Sequence, residues 1–293
     1  GEICAEAGLP EGVLNVVPGP GPVVGQRFAE HPDVKLISFT GETITGQAIM
    51  TTASKTLKRL SFELGGKSAN IVFADASWDE ALAGSIRAIY ANQGEVCLAG
   101  SRLLVEDAIY DRFVADFIDR AGKLKIGDPL DETTDLGPLV SAEHLARVKG
   151  YLDIAQSEGA RIAYGGGTPA GWDRGNFLEP TVILDVDNTM RCAQEEIFGP
   201  VVTVIRFKGE EEAIRIANDS RYGLAGVVWT NDLRRAHRVA QSVDGGTIWV
   251  NCWFVRDLRV PFGGMKESGI GREGGHWSLD FYTEQKNICI KLT

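Results

Sequence analysis

Apolar stretches alternate with helical segments over the first 65 residues. Short apolar runs at 13–17, 35–39 and 57–62 predict three strands, and the segments 23–30 and 41–55 between them predict helices. Strands separated by helices of this length are typical of a parallel sheet with crossover connections. Glycine turns between strand and helix are where such sheets bind nucleotides, so this part of the chain is a candidate nucleotide-binding unit.

A second α/β unit follows from about residue 68. Its predicted strands are 69–73, 102–105, 161–164, 181–184, 201–207, 225–229 and 247–250, and its predicted helices are 78–90, 109–123, 142–158, 210–218 and 233–242. Ser77 and Glu80 have the spacing of a capping box in front of the first of these helices. The two units together predict an α/β fold.

The last segment, 281–292, mixes apolar and polar residues and follows a glycine-rich loop. This composition predicts a final strand. Such a tail either pairs with the sheet of another subunit or forms an edge strand within its own chain. The sequence leaves both arrangements open.

Charge and hydropathy exclude several classes of function. The chain carries a formal net charge of −10, which argues against nucleic acid as a partner because phosphate binding needs a basic surface. No apolar run reaches the roughly 18–20 residues that span a bilayer, so a membrane partner is not expected. Hydrophobic residues make up 44 % of the chain, which is enough to build a sizeable core.

Cysteine usage and the first residues bear on the cellular context. The five cysteines are odd in number, and no pair has the spacing of metal ligands. In a chain of this size, that favours a reducing, cytoplasmic compartment and predicts no metal site. The sequence starts with Gly1-Glu2-Ile3-Cys4, without an initiator Met or a signal-peptide pattern. We therefore expect the chain to begin inside a larger protein.

Three segments could carry chemistry. Glu63 closes an apolar strand and precedes two glycines, which would let a ligand approach the backbone closely. Burial of such a carboxylate raises its pKa towards the range of a general base. Cys97 lies in a glycine-flanked loop between a helix and a strand, where nucleophiles are often placed. The paired carboxylates Glu195 and Glu196, next to Phe198 and a Gly-Pro turn, could grip a flat polar ligand.

Each segment also has a simpler interpretation. Glu63 could face solvent at the end of its strand, and Glu196 could belong to a charged turn. Free cysteines are commonly small buried hydrophobes, and this is our interpretation of Cys4, Cys192 and Cys289. Four histidines lie away from the three segments in sequence and are interpreted as structural or surface residues: His31, His144, His237 and His276.

Taken together, these segments resemble the aldehyde dehydrogenase superfamily over the whole chain. The matching motifs, in order, are FTG at 39–41, ELGGKS at 63–68, GxxC at 94–97, EIFGP at 196–200 and PFGGxKxSG at 261–269. Each motif is only moderately specific, but five in the same order are not expected by chance. The resemblance therefore favours a functional interpretation of Glu63, Cys97 and Glu196.

The resemblance implies a partial Rossmann-like cofactor domain joined to an α/β catalytic domain. Residues 1–65 would be the second half of the cofactor domain, and 66–262 the catalytic domain. Residues 263–280 would return to the cofactor domain, and 281–293 would form an oligomerisation strand. A homo-oligomer is implied as well.

The resemblance also implies the chemistry. Cys97 would attack the aldehyde carbon, and Glu63 would activate the water that hydrolyses the resulting thioester. The oxyanion would be held by the Cys97 backbone N–H and by an asparagine upstream of residue 1, to which Asn92 does not correspond.

A dinucleotide cofactor is implied by the same motifs. Glu196 would hold the nicotinamide ribose and Phe198 would pack near the nicotinamide, beside Leu64 and Gly65. Gly41 would open a helix whose N-terminus faces the pyrophosphate. Glu42 stands where the family usually has Ser, and we expect it to turn away from the phosphates. NAD is the more frequent cofactor of the family, and the resemblance leaves NADP open.

The predicted substrate segment, 251–262, contains two arginines that most members oxidising neutral aldehydes lack. Arg256 and Arg259 could bind a substrate carboxylate, with Phe262 beside them. This resembles the branch that oxidises 2-hydroxymuconic and 2-aminomuconic semialdehydes. The alternative is that both arginines face solvent or pair with Asp257.

Two other functions stay open at this point. In a CoA-acylating relative, CoA would take the thioester, but that branch generally lacks the base that Glu63 would supply. The chain by itself could instead be an inactive fragment with a binding or assembly role, because it lacks half of the cofactor domain. For the same reason we expect the isolated chain to fold poorly, with an exposed apolar sheet edge.

Overall fold

The computed structural model describes residues 1–292 and contains ten helices and twelve strands in that part of the chain. The helices are α1 Glu2–Glu6, α2 Gly21–Glu30, α3 Thr43–Ala53, α4 Trp78–Tyr90, α5 Tyr110–Ala121, α6 Ala142–Ser157, α7 Arg191–Gln194, α8 Gly209–Asn218, α9 Leu233–Ser242 and α10 Gly275–Tyr282. The strands are β1 Leu36–Thr40, β2 Arg59–Glu63, β3 Ala69–Val72, β4 Arg102–Glu106, β5 Arg161–Tyr164, β6 Thr181–Leu184, β7 Val201–Phe207, β8 Tyr222–Gly223, β9 Ala225–Trp229, β10 Thr247–Val250, β11 Met265–Lys266 and β12 Gly269–Ile270.

The strands form a small sheet, a large sheet and a two-stranded ribbon. In the small sheet, β1 and β2 are parallel and β12 pairs antiparallel with β2. The large sheet has the order β10-β9-β3-β4-β7-β6-β5 and is parallel except for β5. The chain passes from the small to the large sheet between β2 and β3, and it returns to the small sheet at β12. The division into domains predicted above stays a prediction.

The large sheet is buried on both faces. Successive residues of β4 alternate between two hydrophobic clusters, with Leu103 and Val105 in one and Leu104 in the other. Strands covered by helices on both sides read as continuous apolar runs, which is why they could be located in the sequence. The fold is therefore the α/β fold that the alternation of elements predicts.

The predicted elements are largely confirmed, with three differences. Residues 13–17 do not form the predicted strand, because no strand of the described chain pairs with them. Val16 and Val17 are exposed. The prediction of a capping box at Ser77 is wrong. The Ser77 hydroxyl contacts Asn231 and does not cap α4.

The predicted C-terminal strand is also wrong in part. Phe281 and Tyr282 belong to α10, and residues 283–292 form no strand within the described chain. An edge strand paired within its own chain is thereby contradicted. Pairing of this tail with another subunit stays a prediction.

Two sequence expectations concern membranes and metals. Within residues 1–292, no helix combines the length and apolarity needed to cross a membrane. In the same residues, no group of three or more His, Cys, Asp or Glu side chains has the arrangement to hold a metal ion.

Arg102 is a buried charge that links the large sheet to two loops and to the last turn of α8. Its guanidinium donates to the Lys67 carbonyl at 2.9 Å, to Asn188 Oδ1 at 3.0 Å, and to the carbonyls of Ile216 and Ala217 at 2.8 Å each. Burial lowers the pKa of Arg102 to about 10, with Asp219 opposing the shift. At neutral pH the guanidinium therefore stays charged.

We expect Arg102→Met to lower the free energy of unfolding by about 3–5 kcal/mol, because four buried acceptors lose their donor. Guanidinium chloride unfolding measures the change. Arg161→Met is the control, since its exposed ion pair with Asp185 contributes at most about 1 kcal/mol. Equal effects of the two substitutions would contradict the prediction.

Candidate active site

A cleft of about 660 Å³ lies where the end of β2, the loop before β4 and the start of α6 meet. Eight of the predicted site residues line it: Gly41, Glu42, Glu63, Leu64, Gly65, Cys97, Glu196 and Phe198. These residues come from four segments that are far apart in sequence. The predicted substrate residues Arg256, Arg259 and Phe262 are not among the residues lining this cleft.

Glu63 ends β2 with its side chain in the protein interior. Only 6 % of the residue is exposed, and neither carboxylate oxygen has a hydrogen-bond partner among the described residues. Burial raises the pKa of Glu63 to about 7, and the negative charge of Glu273 adds to the shift. A carboxylate with this pKa can accept a proton from water near neutral pH.

Cys97 follows a 3₁₀ turn, Ala91–Gly94, and is half-buried at the cleft wall. The Trp253 indole N–H donates to the Leu98 carbonyl at 3.2 Å and holds the loop from behind. Burial raises the pKa of the Cys97 thiol to about 11, assisted by the negative charges of Glu196 and Glu63. The sulfur is therefore a thiol at neutral pH, and attack on a carbonyl requires a base to take its proton.

Glu196 is held by the two glycines that follow Glu63 along the chain. Its Oε1 accepts the Gly66 N–H at 3.1 Å. A Cβ atom at Gly65 would lie 2.2 Å from Glu196 Oε2, and one at Gly66 would lie 2.4 Å from the Cys97 carbonyl oxygen. Glycine at both positions therefore lets Glu196 and the Cys97 loop pack directly on the ELGGKS segment.

Glu42 departs from the expectation stated above. It lines the cleft instead of turning away, and its Oε1 forms an ion pair with Nη1 of Arg147 on α6. The negative charge next to the N-terminus of α3 is thus neutralised by a cation from the opposite wall. No side chain caps α3, whose first N–H groups are oriented to bind an anion.

The start of α6 is the part of the site that the sequence did not reveal. Five residues of α6 and of the loop before it line the cleft: Val140, Ser141, Glu143, His144 and Arg147. His144, which was interpreted from the sequence as a structural or surface residue, lines this cleft. A helix was predicted here, and Ser141 does cap it by accepting the His144 N–H at 3.1 Å. No local pattern indicated that the helix points at Cys97.

Arg256 and Phe262 line a second, smaller cavity of about 190 Å³, together with Glu273. The Arg256 guanidinium lies 4.7 Å from the centroid of the Phe262 ring. Its positive charge lowers the pKa of Glu63, against the larger effect of burial. Arg256 is thus close enough to act electrostatically on the candidate base.

Arg259 makes a two-point ion pair with Asp257, with Nε–Oδ1 and Nη2–Oδ2 distances of 2.9 and 2.6 Å. Its side chain is 88 % exposed. This is the alternative that the sequence left open for the arginines. For Arg259 to bind a substrate carboxylate, this exposed pair has to open.

Comparison with known proteins identifies the family to which this chain belongs. The family model described as the aldehyde dehydrogenase family matches residues 1–288. The 2-hydroxymuconic semialdehyde dehydrogenase of Pseudomonas sp. (strain CF600) is 50 % identical over 100 % of this chain and 61 % of its own length. The 2-aminomuconic semialdehyde dehydrogenase of Mus musculus is 48 % identical over 98 % of this chain and 60 % of its own length.

A solved structure of an indole-3-acetaldehyde dehydrogenase complexed with NAD⁺ superposes with a TM-score of 0.96 at 47 % identity, covering 99 % of this chain and 59 % of that one. By its fold, the protein is an α/β dehydrogenase. The chain belongs to the aldehyde dehydrogenase family, which confirms the resemblance found in the sequence. It spans about 60 % of the length of the curated relatives it matches.

Proposed function

We propose that the protein, in its full-length form, oxidises a carboxylate-bearing semialdehyde such as 2-hydroxymuconic semialdehyde to the carboxylic acid with NAD. One observation carries the proposal. A single cleft brings the Cys97 thiol together with the buried, unpaired carboxylate of Glu63 and with Glu196, which is held on Gly66. The relatives named above supply the substrate class and NAD, since their names describe semialdehyde dehydrogenases and an NAD⁺ complex.

The residues of the cleft fit a dinucleotide. The uncapped N-terminus of α3 would face the pyrophosphate near Gly41. Glu196 would accept the ribose hydroxyls, and Phe198 would pack near the nicotinamide. Bound NAD supplies a hydride acceptor.

Cys97 and Glu63 would divide the reaction between them. The Cys97 sulfur forms a bond to the aldehyde carbon while its proton passes to solvent water. After hydride leaves that carbon, a thioester remains on Cys97. Glu63 then takes a proton from water, the water oxygen bonds to the thioester carbon, and the carbon–sulfur bond breaks. The Cys97 thiolate then takes the proton held by Glu63 as the acid leaves.

The substrate class needs a further argument, because identity alone does not decide it. The betaine aldehyde dehydrogenase of Bacillus subtilis is 47 % identical to this chain, close to the values for the semialdehyde dehydrogenases. Arg256 lines the smaller cavity and acts electrostatically on Glu63, and it supports an anionic substrate because a guanidinium binds a carboxylate through two parallel hydrogen bonds. The ion pair of Arg259 with Asp257 makes it the weaker of the two candidates.

We expect Arg256→Gln to raise the KM for 2-hydroxymuconic semialdehyde by about 10–100-fold, because a charge-assisted hydrogen bond to the carboxylate is lost. The KM for a neutral aldehyde should change little. Arg259→Gln is made in parallel, and Arg234→Gln on the exposed face of α9 is the control. If both variants keep the parent's ratio of KM values for the two aldehydes, neither arginine binds the substrate.

The activity itself is tested by NADH formation at near-ultraviolet wavelengths. The assay compares this chain with a protein extended to the full length of its relatives, and it identifies the product. Free acid supports the proposal, whereas an acyl-CoA formed only when CoA is added would favour the CoA-acylating alternative. We expect the longer protein to be active and the isolated chain to be inactive.

We further infer a homo-oligomer and a cytoplasmic location, with the domain boundaries given in the sequence analysis. Exposed apolar residues Ile288, Ile290 and Leu292 in the unpaired tail support pairing with another subunit. All five cysteines are free, which suits a reducing compartment. Size-exclusion chromatography with light scattering, before and after removal of residues 284–293, tests the role of the tail.

A further inference from the structure

His144 makes a contact that the proposed reaction does not use. Its Nε2 lies 2.6 Å from the backbone carbonyl oxygen of Phe198, and its side chain is only 13 % exposed. A carbonyl oxygen can only accept a hydrogen bond, so Nε2 carries the proton and donates it. The imidazole also packs edge-on against the Phe198 ring, with centroids 6.0 Å apart. Two contacts therefore fix Phe198 from the α6 side.

The same imidazole reaches the loop that carries Cys97. Nε2 lies 3.5 Å from Oε1 of Glu95, whose side chain is 9 % exposed. Glu95 Oε1 in turn accepts the Val140 N–H at 3.1 Å, just before α6. Glu95 is two residues from Cys97. His144 thus stands between the loop of the candidate nucleophile and the turn of the candidate nicotinamide-packing residue.

The Phe198 segment has a backbone conformation that needs external support, and it packs directly on the Cys97 loop. Phe198 has a φ of 59°, in the left-handed region that non-glycine residues rarely adopt. Gly94, in the Cys97 loop, has a φ of 73°, and a Cβ atom there would lie 2.1 Å from the Gly199 carbonyl oxygen. The two segments therefore touch directly, and a strained conformation persists only where its surroundings hold it.

We propose that His144 is a positioning residue that fixes Phe198 relative to the Cys97 loop, and so sets the distance between the cofactor ring and the sulfur. This inference rests on the proposed function. His144 acts through the Phe198 carbonyl and Glu95, not by contact with the reacting atoms. Without its donor, the carbonyl loses its partner and the Phe198 turn is free to relax to other conformations.

The test replaces His144 with leucine, which is of similar size but has no donor, and with glutamine, which keeps an N–H donor. We expect His144→Leu to raise the dissociation constant of NADH about tenfold, because the hydrogen bond to the Phe198 carbonyl is lost. His144→Gln should stay close to the unchanged protein. NADH binding is followed by tryptophan fluorescence in the full-length protein, and His237→Leu on exposed α9 is the matched control.

The outcomes separate this inference from the proposed function. Leucine and glutamine variants that bind NADH as tightly as the parent would overturn the role of His144, even with aldehyde oxidation intact. Equal losses in both variants, with equally lowered thermal midpoints, would show a packing role and overturn it too. A parent protein that binds NADH but oxidises no aldehyde would instead refute the proposed function. Weaker NADH binding in His144→Leu alone supports the inference, provided that the KM for NAD is raised more than kcat is lowered.

Discussion

Aldehyde oxidation by the full-length protein is expected to fall by about 10⁴-fold or more in Cys97→Ala. Alanine cannot form the covalent bond to the aldehyde carbon, and the cleft around Cys97 offers no second thiol among its lining residues. NADH formation with 2-hydroxymuconic semialdehyde measures the loss. Binding of NADH should be retained, because alanine leaves the walls of the cleft in place.

Cys4→Ala is the control for this experiment, since Cys4 is also partly exposed and free but lies on α1. A Cys4 variant as inactive as the Cys97 variant would indicate damage to the fold rather than loss of a nucleophile. Full activity in Cys97→Ala would refute the central proposal. The pH dependence of Cys97 alkylation is a second check, because a thiol with a pKa of about 11 reacts faster as pH rises through the neutral range.

Glu63→Gln is expected to slow steady-state turnover by about 10²–10⁴-fold while leaving a burst of NADH. Glutamine has nearly the shape of the protonated acid but cannot take a proton from water. The thioester should therefore form once and accumulate on Cys97. Rapid-mixing absorbance gives the burst, and mass spectrometry of the stopped protein gives the acyl adduct.

The pH profile of the parent protein tests the same role. Glu63 acts as a base only when it is ionised, and burial has raised its pKa from 4.5 to about 7. Hydrolysis of the thioester should therefore fall about tenfold per unit below pH 7 and level off above it. Glu211→Gln, on the exposed side of α8, serves as the control and should keep this profile. A Glu63→Gln protein that shows neither a burst nor a changed profile would contradict the assignment.

Much of the fold was accessible from the sequence because its signals are local. Strands β3, β4 and β7 are buried on both faces, so each appears as an apolar run that needs no knowledge of its neighbours. The strand predictions for the tail and for residues 13–17 were wrong for the opposite reason. Their composition suits a strand, but a strand requires a partner, and none is present within the described chain.

The candidate site was also predictable only in part from the sequence. The ELGGKS segment, the Cys97 loop and Glu196 each lie in a recognisable motif, and the family resemblance joined them before their proximity was known. The pairs Glu42–Arg147 and His144–Phe198 had no such signal, whereas the Arg259–Asp257 pair was one of the alternatives that the sequence left open. Two of these pairs join residues separated by 54 or more positions, so no periodicity or spacing rule relates their members.

The sequence by itself determined the α/β class, the family and the set of candidate groups, because apolar periodicity and motif order are written along the chain. Only the tertiary structure decided which groups meet and what charge they hold. Packing brings α6 over the cleft, places Arg147 on Glu42, and buries the Glu63 carboxylate without a hydrogen-bond partner among residues 1–292. Burial is a property of the assembled chain, and it is burial that shifts the pKa values of Glu63 and Cys97 most.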